Sequence, residues 1–228
     1  MTTELATKAQ EAGLTVRNTG LVEGMDGIDD KELKIGSVVL VQAGTVAFTS
    51  KGIAAGKLVD SSTEKEIAEA VYIPSYMTKR WFLYDNSGAM PKFVSASGNE
   101  NDPMFNGKIR LGTLTKEQKA AKLKAEVIPV IFTVGLIGGS PVKVAFKKAS
   151  SYYAGQDLYT AARKAGGSLW SQKYKLGSKL IPAANGNPPY YAMTVEAVGP
   201  TTVEEQALAK QLNSAFQAKP DVSDEVPF

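Results

Sequence analysis

Val127-Ile128-Pro129-Val130-Ile131-Phe132-Thr133-Val134-Gly135-Leu136-Ile137 is the stretch on which the fold turns. It is strongly apolar and rich in β-branched residues, whose stiff side chains suit a pleated sheet. It reads as a central strand. It is also shorter than the roughly 18 apolar residues that a membrane span needs, and no other run in the chain is longer. The chain is therefore expected to fold around this strand away from a membrane.

Other elements follow on either side. Pro141–Lys148 reads as a further strand. Ser151–Ala165 has helical spacing through Tyr152, Leu158, Tyr159 and Ala162, and stops at Gly166-Gly167. Leu169–Leu180 and Tyr190–Val198 read as strands, with Pro182–Pro189 as the turn between them. Thr202-Val203-Glu204-Glu205 has the form of a capping box. It opens an amphipathic helix whose Leu208, Leu212 and Phe216 recur every four residues and which ends near Ala218. Toward the N-terminus, Met77–Tyr84 and Ile67–Pro74 read as two strands, hairpin partners through Ser75-Tyr76. Ser50–Glu66 reads as a long loop, and Ser37–Val41 marks the first strand within Lys34–Phe48. Asp85–Thr113 has little periodicity and is too long for an idle connection. Thr115-Lys116-Glu117-Gln118 is a second capping-box pattern, opening a Lys-rich helix to about Ala125. Residues 1–34 form a polar, acidic leader with one short helix near Thr3–Ala12.

Six or seven short strands, two or three helices and long insertions make the chain mainly β (α+β). An OB-like antiparallel barrel with a C-terminal helix fits, because closure removes the edges that strands otherwise leave open. The expected organisation is a leader over 1–34, an OB-like domain over 35–200, a helix over 201–218 and a disordered acidic tail over 219–228.

Composition narrows the chemistry. The 228 residues include no Cys and no His. Thiolate catalysis, Ser-His-Asp triads and zinc sites built from Cys or His are excluded. Asp26-Gly27-Ile28-Asp29-Asp30 is a tight carboxylate cluster, but it lies in the leader and reads as a solvated loop. Gly52-Ile53-Ala54-Ala55-Gly56-Lys57 has the wrong glycine spacing for a phosphate loop and lacks the hydroxyl residue after the lysine. No enzyme activity, cofactor or metal is expected. Met1–Leu5 lacks the basic and apolar regions of a secretory signal.

Charge is segregated along the chain. Tyr72–Lys179 carries 17 Lys and Arg against 6 Asp and Glu, a net of +11, while the remainder carries 9 against 17, a net of −8. A basic centre between acidic ends suits a protein that holds a polyanion through its middle. Aromatic residues are interleaved with these cations. Cations neutralise phosphates, and ring faces stack on unpaired bases whatever the base. The candidate nucleic-acid-binding residues are Tyr76, Lys79, Arg80, Trp81, Tyr84, Lys92, Phe93, Phe105, Lys108, Arg110, Lys147, Lys148, Tyr152, Tyr153, Trp170, Lys173 and Lys175. Lys79-Arg80-Trp81-Phe82 puts charge and ring on both faces of one strand.

The last eight residues, Asp221-Val222-Ser223-Asp224-Glu225-Val226-Pro227-Phe228, are acidic and end in Pro-Phe. They have too little apolar surface to offset their own ordering, so a disordered tail is expected. Such a peptide can dock its Phe and terminal carboxylate in a basic, apolar pocket of a partner. Asp221, Asp224, Glu225, Val226, Pro227 and Phe228 are the candidate partner-binding residues. This ending resembles the acidic, Pro-Phe-terminated tip of bacterial single-stranded-DNA-binding proteins and the Phe-ended tails of phage proteins with the same job. The order of Asp29–Ile35, Ile128–Phe132 and Ser150–Leu158 also resembles phage-encoded single-stranded-DNA-binding proteins. Many of those relatives carry Cys pairs where this chain has Asp85–Thr113 without any.

The resemblance implies sequence-independent binding of single-stranded DNA in phage replication and recombination, in the host bacterial cytoplasm. It implies recruitment of replication and recombination proteins by the tail, with a homo-oligomer on DNA as one form of assembly. A structural virion or assembly protein is the alternative. It accounts for the composition but not for the charge segregation or the terminal Phe. An Asp/Glu-metal nuclease ranks behind both, because no carboxylate set has metal spacing.

Overall fold

The computed structural model describes residues 35–85, 92–106, 109–110, 125–147, 149–183 and 188–217. The leader, the helix expected from Thr115, Lys108, Lys148 and the acidic tail lie outside the described residues.

The apolar run becomes β7 (Ala125–Ile137), and it is central as its sequence requires. It pairs antiparallel along its whole length with β4 (Val71–Asp85). Its other side meets β8 (Ser140–Lys147) from Val130 onward, and β6 (Ile109–Arg110) at Glu126 and Val127. Pro129 falls between these two neighbours, where a missing N–H interrupts no pairing on that side. The turn from β7 to β8 is Gly138-Gly139, with φ of 58° and 82°. Positive φ at both residues matches the twist of a two-residue hairpin, and glycine adopts it without steric cost.

The remaining strands are β1 (Gly36–Leu40), β2 (Leu58–Asp60), β3 (Lys65–Glu66), β5 (Lys92–Ser97), β9 (Gln172–Ile181) and β10 (Tyr190–Pro200). The main path runs β10-β9-β4-β7-β8-β1-β2-β3, with β5 beside β4 and β6 beside β7. The protein is mainly β, a strongly curled half-barrel of mixed pairing. It is not wholly antiparallel as the sequence suggested, because β1 lies parallel to β8 and β6 parallel to β7. Neither pair is joined by a hairpin, so direction was free to differ.

Two further expectations change. Ile67–Pro74 and Met77–Tyr84 are not hairpin partners but one strand, β4, with an irregular register between Pro74 and Tyr76. Ser75-Tyr76 is the expected turn between them. Instead Ser75 bulges from the ladder between Pro74 and Tyr76, on a stretch of β4 whose outer side has no strand partner among the described residues, so the donor that Pro74 lacks is tolerated. The loop expected over Ser50–Glu66 contains β2 and β3. Both are very short and end in polar residues, which hides their alternation.

Among the described residues three α-helices accompany the sheet: α1 (Val46–Thr49), α2 (Ala149–Ala165) and α3 (Val203–Gln217). α2 touches β8, β7, β9 and β10, strands spread across the sheet order, so it lies on the concave side. Its Ala154, Leu158 and Ala162 pack against Tyr72, Ile131, Val142, Val144, Phe146, Tyr174, Leu176 and Met193. The approach is close enough to require Gly155: an added Cβ would sit 2.9 Å from the Phe146 Cβ and 3.0 Å from the Ile131 Cβ. α3 packs on the opposite face of β4 and β7, placing Ala209 and Leu212 on Ile73 and Leu136, and Leu212 and Phe216 beside Tyr76.

A side-chain clasp draws the ends of the curl together. The Gln42 amide donates from Nε2 to the Tyr191 carbonyl at 2.9 Å, and its Oε1 accepts from the Tyr191 N–H at 2.9 Å. The Ser178 hydroxyl donates to the Gly56 carbonyl nearby at 2.5 Å. The next outward N–H of β10, on Met193, is taken by the Ser151 hydroxyl at 3.2 Å. At Tyr191 and Met193 the β10 edge is thus closed by side chains rather than by a strand.

Candidate nucleic-acid interface

β4 positions most of the sequence-predicted site. Because successive side chains alternate, Lys79, Trp81 and Leu83 share the concave-side face, and Arg80, Phe82 and Tyr84 share the face that carries α3. The expectation of a cation and a ring on each face is met. On one face the Lys79 ammonium stands 4.7 Å from the centroid of the Trp81 ring. On the other, the Arg80 guanidinium stands 5.6 Å from that of Phe132, and the Lys147 ammonium 5.5 Å from that of Tyr84.

The two faces differ in access. Lys79 is exposed and Trp81 half-buried. β9 pairs with β4 only at Val71 and Tyr72, and β5 only from Trp81 to Asp85. Between them, Ile73–Arg80 has no strand partner on that side among the described residues. Lys79 therefore stands at an open strand margin. Lys92, exposed on β5, is in register with Asp85 and extends the same face. The indole itself leans on a small cluster of Leu83, Phe105 and Val127. Phe105 is delivered there by a 3₁₀ turn, Pro103–Phe105, which Asp102 caps by accepting from the Met104 N–H at 3.0 Å. That bond and one from the Ser97 hydroxyl hold the Asp102 carboxyl below the ordinary carboxylate range.

The other face is largely covered. Arg80 is 8% exposed, and Tyr84 is 6% exposed. Lys147 donates to the Tyr84 phenol oxygen at 3.1 Å, and Phe93 packs edge-on against Phe82 and Tyr84. Burial, reinforced by the Glu126 carboxylate, pushes the Tyr84 phenol above its ordinary range. Tyr76 stacks on Phe216 of α3 at 6.2 Å.

Several of the rings predicted to stack on bases are thus found in packing positions. Phe105 is only 3% exposed, Tyr84 is buried, and Phe93 and Tyr76 are held by neighbouring rings. Phe105 and Tyr84 are closed to a base unless the core opens, whereas Phe93 and Tyr76 are half-buried. Trp170 is half-buried against Ile73 and Leu136, and its carbonyl accepts from the Thr201 hydroxyl at 2.8 Å. Tyr152 is half-buried against the main core. Lys173 is ion-paired with Glu205 of α3 at 3.2 Å, and Lys175 is exposed and in register with Glu196 on β10. Arg110 is described only as a backbone position on β6. The structure therefore does not gather all the predicted cations and rings into one trough. It brings Lys79, Trp81 and Lys92 onto one face of β4 and β5, and Arg80, Tyr84, Phe93 and Lys147 into a covered cluster on the other.

Tyr153 is 63% exposed on α2, one turn and a half from Tyr159, which is 51% exposed. Tyr159 is one of the four residues whose helical spacing marks α2 in the sequence. The inward set is Ala154, Leu158 and Ala162, spaced by four, and that spacing places residue 159 about 100° off the buried stripe. Among the described residues no group of three Asp or Glu stands close enough to hold a metal ion. No protein-family model matches the chain, and neither a curated protein nor a solved structure matches it.

Proposed function

We propose that the protein binds single-stranded DNA without regard to sequence, as a non-catalytic partner of phage replication and recombination in the host bacterial cytoplasm. The curled sheet with a helix in its hollow is, on this reading, a divergent OB-like barrel. Its body spans 35–200, with the helix over 201–218 behind it and the tail over 219–228 free to recruit replication and recombination proteins. The observation that carries the reading is the Lys79–Trp81 pair. A cation and a flat ring lie in contact at an open strand margin, within the segment where the chain concentrates its positive charge. Cations on a sheet face neutralise phosphates while a ring offers a sequence-tolerant stacking surface. Lys92 on the adjoining strand, in register with Asp85, adds a second cation to the same face.

The test is binding of a fluorescent oligonucleotide across a salt series. Affinity should fall steeply and linearly in logarithmic coordinates, because each neutralised phosphate releases condensed counterions. An affinity that hardly moves with salt would end the electrostatic model. Removing Asp221–Phe228 should leave DNA binding equal or stronger and abolish recruitment of partner proteins. Weaker binding would contradict the idea that the tail screens the basic surface.

A further inference from the structure

We propose that Lys79 is a displaceable cover on Trp81: an arriving base takes the indole face, and the ammonium moves to that nucleotide's phosphate. This rests on the single-strand reading above and adds to it a defined exchange at one position. Lys79 and Trp81 are two residues apart on β4, so both project from the same face. The ammonium lies over the ring at 4.7 Å. Among the described residues Lys79 has no carboxylate within ion-pair distance, so the ring is its partner. Its side chain is exposed and flexible, and nothing in the sheet fixes it there.

The indole is held differently. It packs against the Leu83, Phe105 and Val127 cluster, and its neighbours across the strands are Pro129 of β7 and Ser97 of β5. Ser97 is in turn tied to Asp102 at 2.8 Å. The ring is thus a fixed platform and the lysine a mobile one. The balance favours exchange. An exposed ammonium over an indole changes an equilibrium by about two- to five-fold. A stacked base changes it by about five- to a hundred-fold. The displaced ammonium loses little, because a phosphate oxygen of the same nucleotide offers it a stronger, charge-assisted contact.

The test uses the full chain with Trp170→Phe, which leaves Trp81 as the sole indole reporter. It is titrated with oligo-dT and with an abasic strand of equal length. Oligo-dT should quench Trp81 emission, and the abasic strand should bind with little quenching. Lys79→Met should weaken oligo-dT binding several-fold and lower the salt slope by about one. It should retain the quenching, because the indole platform remains. Trp81→Leu should lose about five- to a hundred-fold for oligo-dT and little for the abasic strand. Should that variant fold poorly, the exposed Lys79→Met change decides alone. Strand binding with no change in Trp81 emission, or an unchanged salt slope in Lys79→Met, overturns the exchange and leaves single-strand binding standing. No binding to either strand at any salt overturns both.

Discussion

At the scale of single residues, the decisive property is what covers a ring. Alternation along Lys79-Arg80-Trp81-Phe82 was legible in the sequence, because strand geometry alone puts neighbours on opposite faces. Which face stays open was not legible. Tyr76 is covered by Phe216, and Trp81 is buttressed by Phe105, both supplied by distant parts of the chain. Phe105→Ala should therefore behave as a core truncation, costing about 3–5 kcal/mol in chemical denaturation. Binding by the folded fraction should weaken no further than in Trp81→Leu, because Phe105 acts through the indole it supports; a larger loss, or a loss at unchanged stability, would restore Phe105 to the binding surface. Gln42 makes the opposite point, since nothing in its sequence context marks it. Gln42→Ala leaves both the N–H and the carbonyl of Tyr191 without their partner, and should cost about 1–3 kcal/mol. A denaturation midpoint indistinguishable from the parent would show that water replaces the clasp.

At the scale of elements, local signals were the most readable. Thr202 and Glu205 form the reciprocal cap that their spacing predicts. The Glu205 N–H donates to the Thr202 hydroxyl at 3.2 Å, and the Thr202 N–H donates to the Glu205 carboxylate at 2.7 Å. The Leu208, Leu212, Phe216 stripe faces the sheet as expected. Thr202→Ala should lower stability by about 1 kcal/mol. The same helix start carries a pH signature. Bonds from its own main chain and from Thr202 hold the Glu204 carboxyl below its ordinary value. A depressed folded-state value means that this contribution is present above the ordinary carboxylate range and is lost as pH falls through the folded-state value. Acid denaturation of Thr202→Ala should accordingly show a weaker dependence on pH there than the parent; an unchanged dependence would remove Thr202 from the account. β4 shows where local reading fails. Ser75-Tyr76, just after a proline, reads as a turn, and the long antiparallel match with β7 overrides it.

At the scale of the whole molecule, charge segregation was visible in one dimension, whereas strand order was not, because β1 and β8 meet over a hundred residues apart in a parallel pair that no hairpin predicts. Closing the curl around α2 also buries phenols that the sequence could not assign. Tyr72 and Tyr174 face each other across β4 and β9, both with no exposed surface. Burial raises both phenols, and Tyr84 with them, although the Thr133 hydroxyl at 2.8 Å partly relieves Tyr72. The unfolded chain ionises its tyrosines near about 10. Below that value both states are neutral and stability is unaffected. Above it the unfolded state loses protons first, so stability must fall as pH rises. Tyr174 allows a clean test, because its phenol oxygen is buried without a hydrogen-bond partner among the described residues. Leaving such a group unpaired costs about 1–3 kcal/mol, and Phe fills nearly the same volume without it. Tyr174→Phe should match or exceed the parent in denaturation at neutral pH and should flatten the alkaline decline. A loss of more than about 1 kcal/mol at neutral pH would mean that the hydroxyl is hydrogen-bonded, and that the hollow under α2 holds a polar partner for it.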